Sequence, residues 1–428
     1  MKILVVNLHS SANAGDDLLT DVTIRQLQES FRCPQIILSM NDPASYKGSD
    51  VTVVGSFMTW FRKQGDALSW LHLLFFIGVL IESLFFAGFY RLIGISVLKI
   101  VPSRHQSLLA SYFSADLVVS AAGNFLYTSG RLGLAFIVAI YSMAYAWLAG
   151  KPLYTMPQTI GPLSRGWERV LVKWIAERSR ILFVRDMVSL VELRSIGVSP
   201  LHYRVVPDLA FAYPRCSPNL GYELLAEYDV FGYGDVPLLG ITMMNWEAQT
   251  PLFTNQRMYE TAMANAICTF VDKYGGKVVL FSQVRGPTYA EDDRISAYRV
   301  LEQVRHLGMA VVIIERDVTT EELKAAYSFM DIFIGTRLHS NIFAVCEGVP
   351  AIMIEYRYKT RGVMQMLGLE SWVIDIHTVK PADISTKMQE LWHEREQVRQ
   401  HIQTVLPAIV REASQVGQLI SNDYSQIK

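Results

Sequence analysis

The run Gly335-Thr336-Arg337-Leu338-His339-Ser340 sets a guanidinium and an imidazole two residues apart, between the apolar stretch Ile332 to Ile334 and a small-residue helical pattern. A helix N-terminus carries unpaired N–H groups and a partial positive charge, so an arginine there makes an anion clamp to which Thr336 and Ser340 add hydroxyls. His339 is then a proton carrier held beside a bound anion. The structural alternative pairs Arg337 with Glu315 or Glu347 and uses His339 as a helix cap. The next apolar run ends in Glu355-Tyr356-Arg357-Tyr358-Lys359-Thr360-Arg361, which brings three more cations to the same sheet edge. With Arg337 beside them, a small multivalent anion is favoured over a solvated basic loop.

Elements that could position these groups recur along the chain. Apolar strand-like runs at Ile3–Val6, Val51–Val54, Leu117–Ser120, Leu153–Met156, Ile181–Val184 and Tyr203–Val206 alternate with helical patterns. A second series, Leu238–Met243, Lys277–Phe281, Ala310–Ile314, Ile332–Ile334 and Ala351–Ile354, follows an irregular stretch around 213–237. The pattern predicts an α/β protein with two doubly wound parallel-sheet domains facing across a cleft, ligands sitting beyond the carboxyl ends of the strands. The expected divisions are an N-terminal domain over 1–214, a linker over 215–236, a second domain over 237–378 and a helical segment over 379–428. One core seldom grows past about 250 to 300 residues, so 428 residues suit two domains.

Three loops of the first domain offer polar groups. Asn13-Ala14-Gly15-Asp16 precedes a helix expected over Leu18–Ser30; Asp16 can cap that helix, and Asn13 with Asp16 can bind sugar hydroxyls. Asn124 after Gly123 and Gln158 after Pro157 lie at turns expected to open helices, and complete the acceptor side. Arg185-Asp186 reads as helix capping.

Apolar residues make up 51% of the chain and charged residues 18%, with net charge -1, which leaves no electrostatic footprint for nucleic acid. The four cysteines form no Cys-x-x-Cys pair and read as buried thiols of a reducing cytosol, neither a disulfide framework nor a zinc site. Ile3–Val6 is too short for a signal peptide, so a cytoplasmic location is expected. The segment 67–101 is unusually apolar, with thirteen Leu, Ile, Val or Phe between Trp70 and Tyr90. It predicts a helical hairpin, Trp70–Ile81 and Leu84–Val101, that either dips into one membrane leaflet or packs on the sheet or a dimer contact.

Taken together, Asn13-x-Gly15-Asp16, the Gly123 turn, Ile160-Gly161-Pro162, Arg185-Asp186 with Ser189, Pro207-Asp208, Gly335 to Ser340, Tyr356-x-x-Lys359 and Gly362-x-Met364-x-x-Leu367-Gly368-Leu369 resemble the polysaccharide pyruvyl transferase family, closest to its colanic-acid-type members. The resemblance implies a GT-B-like fold and transfer of pyruvate from phosphoenolpyruvate to a sugar as a cyclic ketal. It implies that His339 is the acid/base and that Arg337, with Lys359 as a second charge, holds the donor, while no metal or other cofactor is called for. A saccharide acceptor, lipid-linked, and contact with the inner membrane face through 67–101 are the expected partners. Asn7 and Ala12 stand where relatives often have glycine, and Ala122 replaces the first glycine of a Gly-Gly turn. Thr242-Met243-Met244-Asn245-Trp246 lacks an arginine that many members carry, for which Arg285 is the expected substitute. The competing expectations are a nucleotide-sugar glycosyltransferase of the same architecture and an inactive glycan-binding or scaffold paralogue.

Overall fold

Runs such as Ile3 to Val6 and Leu239 to Ile241 show no polar alternation, and their hydrophobic side chains are fully buried, as parallel strands covered on both faces require. A computed structural model describes residues 1–61, 70–94, 98, 103–128, 133–231, 236–250, 253–286, 291–356 and 359–427. The chain divides into two units: 1–11, 19–209 and 412–428 form the first, 12–18 and 210–411 the second.

Among the described residues the first unit contains β1 (Lys2–Leu8), β2 (Gln35–Met40), β3 (Thr52–Gly55), β4 (Leu117–Ser120), β5 (Gly123–Leu126), β6 (Leu153–Thr155), β7 (Gln158–Ile160), β8 (Leu182–Val184) and β9 (Tyr203–Val205). They make a parallel sheet ordered β3-β2-β1-β4-β6 and a second ordered β5-β7-β8-β9. The turns at Gly123 and Pro157 therefore do not open helices, contrary to expectation. Each passes the chain from one sheet to the other, and Gly123 pairs with Gln158 across β5 and β7. The helices come later, at Leu134–Leu148 and Gly166–Ala176. Asn7 adopts φ 64°, a left-handed conformation that asparagine tolerates better than most side chains, which accounts for its use where relatives have glycine.

Under the second sheet lies a buried polar network built from the Arg185-Asp186, Ser189 and Asp208 motif residues. Arg185 Nη1 pairs with Asp208 at 2.6 Å, both side chains nearly inaccessible, and its Nε donates to Thr159 at 2.9 Å. Asp186 caps the helix Met187–Ser195 by accepting from the Ser189 N–H at 2.7 Å, as expected.

A single helix, Trp70–Ile93, replaces the expected hairpin. Nothing at its midpoint breaks it: Ser83 bonds back to the Leu80 carbonyl at 2.9 Å and lies 2.6 Å from the Tyr141 hydroxyl, so its polarity is satisfied without a turn. Phe76, Leu80, Ser83 and Ala87 are buried, whereas Leu74, Ile77, Ile81, Phe85 and Leu92 are exposed. The stretch Phe76–Ile93, mean hydropathy 1.7, is long and apolar enough to cross a membrane. Residues 67–69, 95–97 and 99–101 of the expected hairpin, including Lys99, lie outside the described residues.

The second unit contains β10 (Leu238–Thr242), β11 (Lys277–Phe281), β12 (Val311–Ile313), β13 (Ile332–Gly335), β14 (Ala351–Glu355) and β15 (Val373–Asp375), in one parallel sheet ordered β12-β11-β10-β13-β14-β15. The chain order reverses between β10 and β13, which makes their carboxyl ends the switch point where ligands bind in such sheets. The stretch read as a linker contains a helix, Pro218–Glu227, packed on the helix Thr320–Tyr327 so closely that a Cβ on Gly221 would meet the Ala325 backbone at 2.4 Å. Toward the C-terminus the chain forms the helices Asp383–Ala413 and Val416–Gln426. Cys346 is buried as expected, but Cys33 is exposed and Cys216 and Cys268 are half-buried; all four are free thiols.

Removing one member of a buried ion pair strands the other charge, so Asp208→Asn is expected to destabilise the protein by about 3 kcal/mol. Equilibrium urea unfolding should show a lowered midpoint with unchanged slope.

Candidate active site

The turn after β13 is held by Asn341, whose Nδ2 donates to the carbonyls of Gly335 and Arg337, each at 2.9 Å. A Cβ at position 335 would lie 2.5 Å from that amide, so the motif's glycine is required by close approach. Thr336 and Ser340 are fully buried. The Thr336 hydroxyl lies 2.7 Å from Tyr259 Oη; Ser340 donates to the Arg337 carbonyl at 2.7 Å and meets Thr242 Oγ1 at 2.7 Å. Both hydroxyls thus bond within the protein and brace the loop.

Arg337 pairs with Asp293, not with Glu315 or Glu347. Asp293 Oδ1 accepts from Nη2 at 2.6 Å and from Nε at 3.1 Å, and Oδ2 accepts from the Val284 N–H at 3.0 Å. Glu315 bonds Tyr298, and Glu347 pairs with Lys324. Burial pushes the Asp293 carboxyl upward, and the neighbouring guanidinium only partly offsets it. Burial is the largest influence on Arg337 and lowers it, but the charge and hydrogen bonds of Asp293, with Tyr356 and Tyr259 nearby, together outweigh it and raise the guanidinium above its usual value. The side-on pair uses Nε and Nη2, leaving Nη1 outside it.

His339, half-buried in the first turn of the helix Leu338–Cys346, lies against Gly15. A Cβ on Gly15 would fall 2.1 Å from the His339 Nδ1 position and 2.9 Å from Cγ, so the imidazole takes the space that a side chain would need. The segment 12–18 belongs to the second unit and is stitched to the end of β11: Asn13 bridges Val284, and the Ala14 N–H donates to the Gln283 carbonyl at 3.4 Å. Asn13, rather than Asp16, caps the following helix, its Oδ1 accepting from the Gly15 N–H at 3.0 Å while its Nδ2 donates to Asp16 at 3.2 Å. That helix starts at Ala14, four residues earlier than the sequence pattern indicates. Asn13 and Asp16 therefore share a unit with Arg337 and His339, while Asn124 and Gln158 belong to the other.

Arg285 follows β11. Its Nη1 engages the Arg316 carbonyl and, at 3.0 Å, Asp317; its Nη2 is buried with no hydrogen-bond partner among the described residues. Lys359 opens the helix Lys359–Met366, but its side chain lies outside the described residues, as does Arg357. Arg361 is committed to Glu355 at 3.1 Å. In the first unit, Gln158 Nε2 donates to Ser120 Oγ and to the Ala121 carbonyl, both at 2.9 Å, which fixes its amide; its Oε1 and the buried Asn124 Oδ1 have no partner among the described residues. Among the described residues no three His, Cys, Asp or Glu side chains form a metal-binding group.

The architecture is that of GT-B enzymes. The chain is similar over 100% of both chains to UDP-GlcNAc 2-epimerase from Methanocaldococcus jannaschii (12% identity, TM-score 0.56) and to sucrose-phosphate synthase from Thermosynechococcus elongatus (14% identity, TM-score 0.56). It is also similar, over 99% of each chain, to Anabaena Alr3699/HepE in complex with UDP and glucose (11% identity, TM-score 0.57). At these identities the likeness is one of fold. Residues 13–358 match the sequence profile of the polysaccharide pyruvyl transferases, and the chain belongs to that family, as a transferase. It is 24% identical over 409 residues, 94% of each chain, to the amylovoran biosynthesis protein AmsJ of Erwinia amylovora.

Gly15→Ala is expected to push the imidazole off its position and lower turnover by about tenfold or more, the scale of a misplaced reacting group. Folding should be preserved by circular dichroism, and the His339 ring resonances should shift.

Proposed function

We propose that the protein transfers pyruvate from phosphoenolpyruvate to two hydroxyls of a saccharide unit, forming a cyclic ketal and releasing phosphate. The observation that carries this reading is the braced Gly335–Asn341 loop, which holds Arg337 and His339 at the carboxyl end of β13 in a chain of the pyruvyl transferase family. His339 delivers a proton to the donor's methylene carbon, which leaves C2 oxocarbenium-like. One sugar hydroxyl attacks C2 and gives up its proton. Phosphate then departs, stabilised by cationic groups that include Arg337, and the second hydroxyl closes the ring as its proton passes to the leaving group. The methyl group and the released phosphate each gain one proton, which balances the two hydroxyl protons. The scheme calls for neither a metal nor a nucleotide.

Unpartnered acceptor atoms on Asn124 and Gln158 suit the hydroxyls of the acceptor. Similarity to the amylovoran biosynthesis protein AmsJ supports an exopolysaccharide precursor as acceptor, and the proposal takes it as lipid-linked at the cytoplasmic membrane face. The exposed apolar row of the helix Trp70–Ile93 supports contact with that surface, since Arg91 at its end lies over Trp147 at 5.0 Å, and such Arg–Trp pairs suit the interface.

Phosphate release from phosphoenolpyruvate, together with saturation-transfer NMR using phosphoenolpyruvate and UDP-sugars, tests the donor. Binding of UDP-sugar alone would replace this reading with a glycosyltransferase. His339→Ala should lower turnover by about two to four orders of magnitude with the fold intact. Arg337→Lys should also be costly, because an ammonium cannot satisfy Asp293 side-on and an anion at once.

A further inference from the structure

Besides Arg285, already expected from the sequence at the donor, the carboxyl edge of the second unit's sheet carries three hydrogen-bond donors that no sequence motif assigns. β10 and β11 end in register, Thr242 opposite Phe281. Just beyond them sit Asn245, Ser282 and Gln283, with relative exposures of 1%, 2% and 3%. Asn245 Nδ2, Ser282 Oγ and Gln283 Nε2, with Arg285 Nη2, are buried without a hydrogen-bond partner among the described residues. Their orientations are set from behind. Arg299 Nη1 donates to Asn245 Oδ1 at 3.4 Å, and a guanidinium cannot accept, so the amide nitrogen of Asn245 must be the end left over. Tyr327 Oη donates to Gln283 Oε1 at 3.2 Å and turns that amide the same way.

Buried polar groups are seldom left unpaired, and those that are call for a ligand or ordered water. Here the unpaired set is almost purely donating: two amide nitrogens, one guanidinium nitrogen and a hydroxyl that can donate. A sugar or a peptide would present donors as well as acceptors, whereas a tetrahedral oxyanion presents acceptors alone. The position agrees with this. The Gln283 carbonyl accepts from Ala14, beside the glycine that seats His339, and the Val284 N–H reaches Asp293, the partner of Arg337.

The geometry points to Asn245, Ser282, Gln283 and Arg285 as the receptor for the phosphate of the donor. The assignment rests on the phosphoenolpyruvate reading above. It explains how the chain manages with Met244 and Asn245 where many relatives carry an arginine: neutral amides and Arg285 supply the donors. Phosphate rather than carboxylate is assigned on charge and acceptor number: the phosphate of the donor carries close to two negative charges over three terminal oxygens, against one charge over two oxygens in its carboxylate.

Inorganic phosphate and pyruvate are compared as inhibitors competing with phosphoenolpyruvate, in the full chain and in Asn245→Asp, Gln283→Glu and Ser282→Ala. Phosphate should compete and pyruvate should not. In the variants the KM for phosphoenolpyruvate and the phosphate inhibition constant should both rise about tenfold or more, with the KM for the acceptor unchanged, because the acidic variants turn a donor facing the anion into an acceptor and Ser282→Ala removes one. Ser282→Ala adds no charge and keeps the test sound where the acidic variants fail to fold. Unaltered phosphate inhibition in a folded Ser282→Ala and in either acidic variant would overturn the inference and leave the donors to ordered water. Pyruvate competing as well as phosphate would overturn the phosphate assignment. A wild-type protein that binds UDP-sugar and ignores phosphoenolpyruvate would instead overturn the donor reading itself.

Discussion

One carboxylate ties the second unit's site together. Asp293, fully enclosed, accepts from Arg337 with both oxygens and from the Val284 N–H with one of them, so the loop after β13 and the segment after β11 are fixed to a common point. Removing a carboxylate from water is expensive, and the partner guanidinium together with the backbone donor offsets part of that cost. The consequence for chemistry is orientation: a side-on pair freezes the long arginine side chain before any ligand arrives, so no rotamer freedom remains to be lost on binding. Gly15 does the same for His339 by leaving the imidazole just the space it occupies.

Much of the recognisable family pattern proves to be bracing. Thr336 and Ser340 are sealed beneath the loop by Tyr259 and Thr242, and Arg185, Asp186 and Asp208 form an internal network in the first unit. Such residues are constrained because a buried polar group without its partner is costly, whether or not it touches substrate. The groups left without partners are the informative ones, and they differ in kind between the units. The edge of β5 and β7 leaves amide oxygens, suited to hydroxyls; the edge of β10 and β11 leaves nitrogens and a hydroxyl, suited to an oxyanion.

The helix Trp70–Ile93 stands apart from this economy of partners. Its inner face packs on the helix Leu134–Leu148 through Ser83, Tyr141 and Tyr145, while its outer face presents a row of large apolar side chains to solvent. Apolar residues all round gave the sequence no amphipathic period from which to tell the inner face from the outer, and Glu82-Ser83 suggested a turn that tertiary hydrogen bonds made unnecessary.

By itself the sequence determined the class of fold, through apolar runs of strand length between helical patterns, and it located the Arg337–His339 loop, because a cation and an imidazole after a buried strand are a local signal. Tertiary structure decided the rest. Asp293 lies 44 residues before Arg337 in a cluster of three acids, and only the approach of the β11 and β13 ends selects it over Asp292 or Glu291. The bond between Ala14 and Gln283 joins residues far apart in the chain, so nothing local could have placed the first loop beside His339. Asn245, Ser282 and Gln283 carry no motif, since an amide or hydroxyl becomes a candidate ligand group only when burial removes water and the fold supplies no partner.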